Sequence, residues 1–314
     1  MTSVKLGAAL GFAVWYLLLR MRWVPVPLMR AWFFLVSLCI IFPTSAMTSI
    51  LVQLHRLGVS AYHTQRLCIV PLVCAFRAVW WLSPHIRMHM QFDANVDGKP
   101  TSWADIELHH QAFVGNHTSF WDVFAFLCIA PMSHLVHTRT MMKASLRDIP
   151  IFGGIFDRVG NFPVYFKSDE DGHFEVDKEK QAAVQVGVEA HLSSGGSLAI
   201  FPEGAINKNP RVLQTFRYGT FATIFEHRMP VYYFVHLGAE RTWPRWTMVG
   251  GMPTDMHIRA GRFPIDFDKE DSKAVAHRMQ LYMQKVYNEL LTEWVGPQAV
   301  EVVVEEASLN KKTS

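Results

Sequence analysis

The sequence has few cysteines, little charge and no Gly-rich nucleotide-binding loop, and each of these features limits what the chain can be. Four cysteines occur among 314 residues, and none forms a Cys-x-x-Cys pair. A disulfide scaffold is therefore excluded, and we expect buried thiols rather than zinc ligands. Charged residues make up 18% of the chain, against about a quarter in a typical soluble domain. The net charge of +3 is too small to favour nucleic acid as a partner. We also expect no metal ion, because the scattered histidines form no zinc motif.

Apolar side chains are abundant instead, and they are concentrated in the first third of the chain. Half of all residues are apolar, and runs without charge cover residues 6–19 and 31–54. A third apolar run, residues 67–82, contains Arg77. About 20 apolar residues are needed to cross a bilayer, so only the second run is clearly long enough. We predict that residues 1–84 anchor the chain in a lipid bilayer, as an integral or monotopic membrane protein.

Arginines between the first two runs indicate how this anchor is arranged. Arg20, Arg22 and Arg30 surround a Pro-Val-Pro breaker. If both runs crossed the membrane and the rest of the chain were cytosolic, these arginines would face the far side, against the positive-inside tendency. A helical hairpin that enters one leaflet and returns keeps them on the near surface. We therefore predict a membrane-embedded hairpin, with the third run as an interfacial helix; the alternative for the first run is a signal peptide.

From about residue 85 the pattern changes to strand-like segments separated by helix-like ones. The predicted elements are strands at 111–114, 197–201 and 231–235, and helices at 119–130 and 274–295. This alternation predicts an α/β domain over residues 85–296, with a mixed, mostly parallel sheet flanked by helices. Residues 168–180 are polar and are expected to form an exposed excursion. Residues 297–314 are predicted to be a polar C-terminal tail.

The first strand is followed by two side chains suited to acid–base chemistry, His117 and Asp122. Five residues on one helix correspond to a rotation of about 140°, so the two can meet only if His117 precedes the helix and Asp122 lies in its first turn. Asp122 would then bind one ring nitrogen, and the other could take a proton from an alcohol. The alternative is structural: Ser119 and Asp122 also fit a capping box, with His117 as a loop residue.

The second strand end is Phe201-Pro202-Glu203-Gly204. It places a carboxylate at the edge of the sheet, beside a residue that can bend sharply. Glu203 could belong to a binding site, or it could only orient backbone amides in the turn. The sequence around it leaves both alternatives open.

Together, these motifs resemble the glycerolipid acyltransferase family, which includes the lysophosphatidic acid acyltransferases. The His117-x4-Asp122 pair is similar to the family's catalytic block, and Phe201-Pro202-Glu203-Gly204 to its third block. Further similar segments, in family order, are Lys143, Ile149-Pro150-Ile151-Phe152-Gly153, Phe216-Arg217-Tyr218-Gly219 and Met229-Pro230-Val231. The resemblance covers about residues 85 to 255, and the N-terminal hairpin is similar to the family's membrane anchor.

The resemblance implies transfer of a fatty acyl group from acyl-CoA to the hydroxyl of a lysophospholipid, most directly 1-acylglycerol-3-phosphate, to give phosphatidic acid. His117 would be the general base and Asp122 its orienting partner, with acyl-CoA as co-substrate and no cofactor. Backbone amides near the start of the helix at 119 would stabilise the oxyanion. The resemblance also implies an endoplasmic reticulum membrane, with the active site toward the cytosol.

Two expected family arginines are replaced in this chain. Phe166 followed by Lys167 stands in the second block, and Ala205-Ile206 follows the Glu-Gly pair of the third. The residues expected to bind substrate are Glu203, Gly204, Arg217, Lys143, Lys167 and Lys208. A lysine carries a point charge and does not form the bidentate hydrogen bonds of an arginine, so it would fix the orientation of a phosphate less well. Two alternatives therefore stay open: remodelling of lysocardiolipin, lysophosphatidylinositol or a similar lipid, and a non-catalytic lipid-binding member of the fold.

Overall fold

In a computed structural model, which describes residues 2–170 and 173–300, three long helices precede an α/β unit. The helices are α1 (Thr2–Arg20), α2 (Val26–Leu51), α3 (Ala61–Leu82), α4 (Trp121–Ile129), α5 (Met132–Leu135), α6 (Phe152–Arg158), α7 (Lys178–Ser193), α8 (Gly219–Glu226), α9 (Ala239–Thr242) and α10 (Ser272–Trp294). The strands are β1 (Ile86–Asp93), β2 (Ala112–Gly115), β3 (Thr138–Lys143), β4 (Phe162–Val164), β5 (Phe166–Glu170), β6 (His173–Val176), β7 (Ser197–Ile200), β8 (Val231–Leu237) and β9 (Thr254–Phe263). Residues 301–314 of the predicted polar tail lie outside the described residues.

The main sheet has seven strands in the order β1-β9-β8-β2-β7-β3-β4 and is mixed and mostly parallel, as predicted. Strands β4, β3, β7, β2 and β8 run in one direction, whereas β9 is antiparallel to β8 and parallel to β1. β2 and β7 are adjacent and buried along their whole length, as expected for strands covered on both faces. Because they are parallel, the segments that follow them meet at one edge of the sheet.

Two apolar clusters cover the two faces of this sheet. One contains buried side chains from α7, α8 and α10. The other contains side chains from α2, α3 and α4, so α2 and α3 pack directly on the α/β unit. Trp121, at the start of α4, is fully buried and meets the ring of Phe33 on α2 edge-on, with 5.8 Å between ring centroids.

The turn between α1 and α2 is held on the surface of the α/β unit by its arginines. Arg22 donates to a carboxylate oxygen of Asp255, at the start of β9, over 2.6 Å, and to the carbonyl of His85 over 3.1 and 3.2 Å. Arg30 donates to the carbonyl of Val249 over 2.9 Å. The turn is therefore bound to the surface of the α/β unit.

Two helical stretches in the described part of the chain, residues 26–57 and 61–82, are long and apolar enough to cross a membrane. Arg77, which lies in the second stretch, does not face outward. Arg77 donates to the carbonyls of Leu127 and Ala130 over 3.4 and 2.5 Å. These carbonyls end α4, where a cation is favourable. Arg77 thus ties α3 to the helix that carries Asp122.

One detail differs from the sequence-based expectations. Cys68 and Cys128 are buried, but Cys39 and Cys74 are exposed, because they lie on faces of α2 and α3 that no other part of the described chain covers. The segment at 168–180, predicted to be an excursion, contains most of a hairpin of β5 and β6, which is separate from the main sheet, and the first turn of α7. Residues 171 and 172 of this segment lie outside the described residues.

Gly153 gives the first test of this packing. A Cβ at this position would fall on the backbone carbonyl of Arg147, whereas one at Gly154 would meet only the guanidinium tip of Arg158. We expect Gly153→Ala to lower the free energy of unfolding by about 1–3 kcal/mol, a usual range for overpacking. Gly154→Ala is the matched control, since a side-chain tip can move aside. Thermal unfolding in detergent measures both; equal midpoints would contradict the packing described here.

Candidate active site

His117 and Asp122 lie together at the carboxyl end of β2. His117 sits in the short turn between β2 and α4, and Asp122 lies in the first turn of α4. Nδ1 of His117 is 2.9 Å from Oδ2 of Asp122. Because an ionised carboxylate only accepts hydrogen bonds, Nδ1 carries the proton and Nε2 is the basic nitrogen. The Asp122 side chain is fully buried, and that of His117 is 20% exposed. The geometry is that of a general base held by a buried carboxylate.

The same carboxylate also binds backbone amides of the turn that precedes α4. Oδ2 of Asp122 accepts the backbone N–H groups of Thr118 and Ser119 over 2.6 and 2.9 Å. Ser119 Oγ accepts the N–H of Trp121 over 3.0 Å. The dyad is therefore present, whereas only one of the two bonds of a capping box is formed, from the N–H of Ser119 to Asp122; the N-cap residue of α4 is Phe120. The three amides are bonded within the turn, so the expectation that amides at the helix start stabilise an oxyanion does not hold for these donors.

Glu203 is a second buried carboxylate, and it reaches His117 from the neighbouring strand end. Its Oε1 accepts the backbone N–H of His117 over 2.7 Å. Its Oε2 accepts the side-chain amide of Asn207 over 2.7 Å and the backbone N–H of Gln214 over 3.0 Å. The backbone N–H of Asn207 donates to the carbonyl of His117 over 2.7 Å. These contacts fit the alternative in which Glu203 orients amides, and they hold His117 at both its N–H and its carbonyl.

Gly204 and Arg217 form the other half of this turn. Gly204 has φ of +73°, a conformation that favours glycine. The side chain of Arg217 packs against it and would collide with a Cβ there. The backbone N–H of Arg217 donates to the carbonyl of Pro202 over 2.9 Å, and partial burial lowers the pKa of its guanidinium. Arg217 is therefore close to the Glu-Gly turn.

The three predicted lysines are exposed and come from different elements. Lys143 ends β3, Lys167 lies in β5, and Lys208 lies in the loop between β7 and α8. β3 is parallel to β2 and β7, so Lys143 lies at the same edge of the sheet as His117. Binding of substrate phosphate by these lysines stays a prediction.

Asn116 and His236 adjoin the dyad, although the sequence patterns did not single them out. The Asn116 side chain donates to the carbonyl of His236 over 3.0 Å and accepts its backbone N–H over 2.9 Å. Nε2 of His236 lies 2.8 Å from the Asn116 carbonyl and 3.4 Å from Oδ1 of Asp122. The strand predicted at 231–235 ended two residues too early, since β8 continues to Leu237. The available signal for Asn116 was its position as a polar residue directly after an apolar strand.

In the described part of the chain, one group of side chains could hold a metal ion. It consists of Glu189, Glu226 and His227, whose ligand atoms lie within 4.8 Å of one another. His227 follows α8 and precedes β8, so the group lies at the opposite edge of the sheet from His117. Nε2 of His227 is already 2.7 Å from Glu189. That the active site uses no metal stays a prediction.

Residues 105–236 match the family model described as Acyltransferase. These residues form an acyltransferase domain. The match confirms the family predicted from the motifs and contains both His117 and Glu203. It ends at His236.

The acyltransferase fold is also found among solved structures. The 1-acyl-sn-glycerophosphate (LPA) acyltransferase PlsC from Thermotoga maritima is similar with a TM-score of 0.60, over 86% of this chain and 97% of that one, at 14% sequence identity. At this identity the likeness establishes a shared fold. Comparison with curated proteins gives no significant match.

Glu203 should make the stability of this acyltransferase depend on pH. Burial raises its pKa from 4.5 to about 7, against the opposing effect of the N–H donors. Between these pH values the folded chain holds a proton that the unfolded chain has lost. The stabilisation is therefore complete below pH 4.5 and is lost as the pH rises through about 7.

We expect the free energy of unfolding of the wild type to fall from pH 5 to about pH 8 relative to that of Glu203→Gln, in which this position does not titrate. Denaturant unfolding of both proteins at several pH values measures the difference. Parallel pH profiles would show that Glu203 is ionised in both the folded and the unfolded chain over this range.

Proposed function

We propose that this acyltransferase moves a fatty acyl group from acyl-CoA to the hydroxyl of a lysophospholipid, most directly 1-acylglycerol-3-phosphate, to give phosphatidic acid. One observation carries the proposal: Nδ1 of a partly exposed His117 lies 2.9 Å from the buried Asp122 carboxylate. The family match over residues 105–236 supports acyl transfer. The likeness in fold to a protein described as an LPA acyltransferase supports the choice of acceptor.

In the proposed reaction, the lysophospholipid hydroxyl is the nucleophile and the basic Nε2 of His117 removes its proton. The hydroxyl oxygen bonds to the thioester carbonyl carbon, and the π electrons of that carbonyl move to its oxygen. When the oxyanion collapses, the carbon–sulfur bond breaks, and the departing thiolate takes the proton from Nε2. Asp122 stays ionised and binds Nδ1–H, so it stabilises the imidazolium that forms between the two steps.

Glu203 and Asn207 act on His117 through its backbone. Glu203 accepts the N–H of His117, and the N–H of Asn207 donates to the carbonyl of His117, over 2.7 Å in each case. A general base contributes only when its nitrogen is within hydrogen-bond reach of the proton it removes. We assign Glu203 and Asn207 the role of fixing the imidazole in place, and Arg217 and the three predicted lysines the role of binding the substrate phosphate.

We further propose that the hairpin of α1 and α2 lies in a bilayer, beside the domain. The bonds of Arg22 and Arg30 to the α/β unit support this arrangement, because they keep the turn of the hairpin at the domain surface. The exposed leucines of α1 support it as well; they are Leu6, Leu10 and Leu17. The active site would then face the cytosolic side of the endoplasmic reticulum, where acyl-CoA is supplied and where the lipid substrate keeps its chain in the membrane.

Replacing the proposed base should abolish turnover but not lipid binding. We expect His117→Ala to lower kcat by about 10²–10⁴-fold, the usual contribution of a general base. The matched control is His277→Ala, an exposed histidine on α10. Release of free CoA thiol and formation of labelled product from a lysolipid measure the rate, and vesicle flotation measures binding. Full turnover in His117→Ala would refute the assignment.

A panel of acceptors tests the identity of the lipid. It contains 1-acylglycerol-3-phosphate, lysophosphatidylinositol and lysocardiolipin, each offered with acyl-CoA or with an acyl thioester of a carrier protein. The lipid with the highest kcat/KM is the substrate class. Remodelling of a lipid with a headgroup remains the second candidate, because Ala205-Ile206 stands where the family has Thr-Arg. Lipid binding without turnover of any member would identify a non-catalytic protein.

Exposed leucines on two helices test the membrane placement. Leu10 on α1 is 59% exposed, and Leu281 on α10 is 58% exposed. Burying a charge in a bilayer is costly, so we expect Leu10→Lys to weaken binding to phospholipid vesicles several-fold, and Leu281→Lys to leave it unchanged. Flotation with vesicles measures both variants. An equal effect of the two substitutions would argue against an embedded α1.

A further inference from the structure

His236 is a buried titratable side chain that the mechanism above does not use. It lies at the end of β8 and is 1% exposed. Nε2 is 2.8 Å from the carbonyl oxygen of Asn116 and 3.4 Å from Oδ1 of Asp122. Because a carbonyl oxygen only accepts hydrogen bonds, Nε2 must carry a proton. This single N–H therefore faces both oxygens.

The two oxygens of Asp122 are in different situations. Oδ2 binds the imidazole of His117 and the amides of Thr118 and Ser119. Oδ1 is buried, and within the described residues it has no donor at a standard hydrogen-bond geometry. A buried carboxylate oxygen without a donor is destabilising, because the hydration that it lost on burial is not replaced. The Nε2–H group of His236, at 3.4 Å, is the donor placed to supply that compensation.

We propose that His236 is a positioning residue for the His117–Asp122 pair. Its Nε2–H group holds both the Asp122 carboxylate and the carbonyl of Asn116, which follows β2. The contact with Asn116 makes this arrangement rigid, because three hydrogen bonds join residues 116 and 236. The carboxylate is thus held from both sides, by His117 at one oxygen and by His236 at the other. The activity measured below rests on the proposed function; the spectroscopic measurements do not.

The titratable groups around the dyad come from each element packed against it. Asp122 is on α4, Glu203 follows β7, and His236 is on β8. Glu240 on α9 interacts electrostatically with His236. Loss of the N–H donor at Oδ1 would make the carboxylate a stronger acceptor for the proton on His117. The imidazolium of His117 would then persist to higher pH, and the acid limb of the rate profile would move up.

The experiment compares His236→Met, which has no donor, with His236→Gln, whose amide N–H can replace Nε2–H. The matched control is His134→Leu; His134 is a buried histidine on α5 that contacts the carbonyl of Ile106. Full-length proteins in nanodiscs, with 13C-labelled histidine, give the titration midpoint of His117 by NMR. The same samples give kcat and KM against pH, with 1-acylglycerol-3-phosphate and acyl-CoA.

We expect His236→Met to raise the His117 midpoint and to lower kcat by about 10- to 100-fold, as small misplacements of catalytic groups do, with KM unchanged. His236→Gln should restore most of the rate, and His134→Leu should leave the midpoint where it is. An unchanged His117 midpoint in a folded His236→Met protein would overturn the proposal. If the wild type transfers no acyl group, the proposed function fails while the NMR midpoints still decide the role of His236.

A second measurement keeps the histidine intact, so it does not depend on how the His236 variants fold. In Asp122→Asn the ring carbon resonances of His236 should shift, because its neighbour loses a negative charge. Resonances at the wild-type positions would overturn the proposal. Phe201, whose ring lies 4.9 Å from that of His117, offers a control: Phe201→Leu alters the other face of the dyad and should leave the His236 resonances in place.

Discussion

The structure of this acyltransferase depends on keeping one buried carboxylate ionised. Asp122 is inside the protein, where an unpaired charge is strongly unfavourable, yet it must stay charged to hold His117. The turn before α4 meets this need with two backbone N–H groups and the imidazole. A helix start also places partial positive charge near the carboxylate. The turn is therefore part of the proposed catalytic arrangement, because the backbone hydrogen bonds that precede the helix also stabilise the carboxylate that would orient the base.

The parallel strands explain why a second carboxylate is found so close by. β2 and β7 are neighbours that point the same way, so the residues after each strand meet at one edge. Glu203 comes from this second strand end and binds the backbone of His117 rather than its ring. Asp122 thus binds the ring of His117, and Glu203 binds its backbone.

Sequence patterns predicted the parts of this site that are local or that lie on strand ends. The five-residue spacing of His117 and Asp122 predicted their contact because a strand end followed by a helix start has few geometries. The alternation of segments predicted the sheet. Asn207 and His236 were not predicted, because their contacts depend on how distant loops and strands pack: His236 is 120 residues from Asn116. The exposure of Cys39 on α2 was missed for a related reason, since apolar composition does not tell whether protein or lipid covers a helix face.

The N-terminal helices are joined to the site by packing and by charge. Phe33 on α2 meets Trp121, the residue directly before Asp122, and Arg77 on α3 binds the carbonyls at the far end of the same helix. α4 is therefore held at its first turn by one N-terminal helix and at its last turn by another. A bilayer that fixed the orientation of α2 and α3 would fix the orientation of α4, and so the height of the His117–Asp122 pair above the membrane. Under the proposed function, these helices would also set how far a lipid hydroxyl must rise to reach His117, which would link the apolar first third of the chain to the chemistry of the rest.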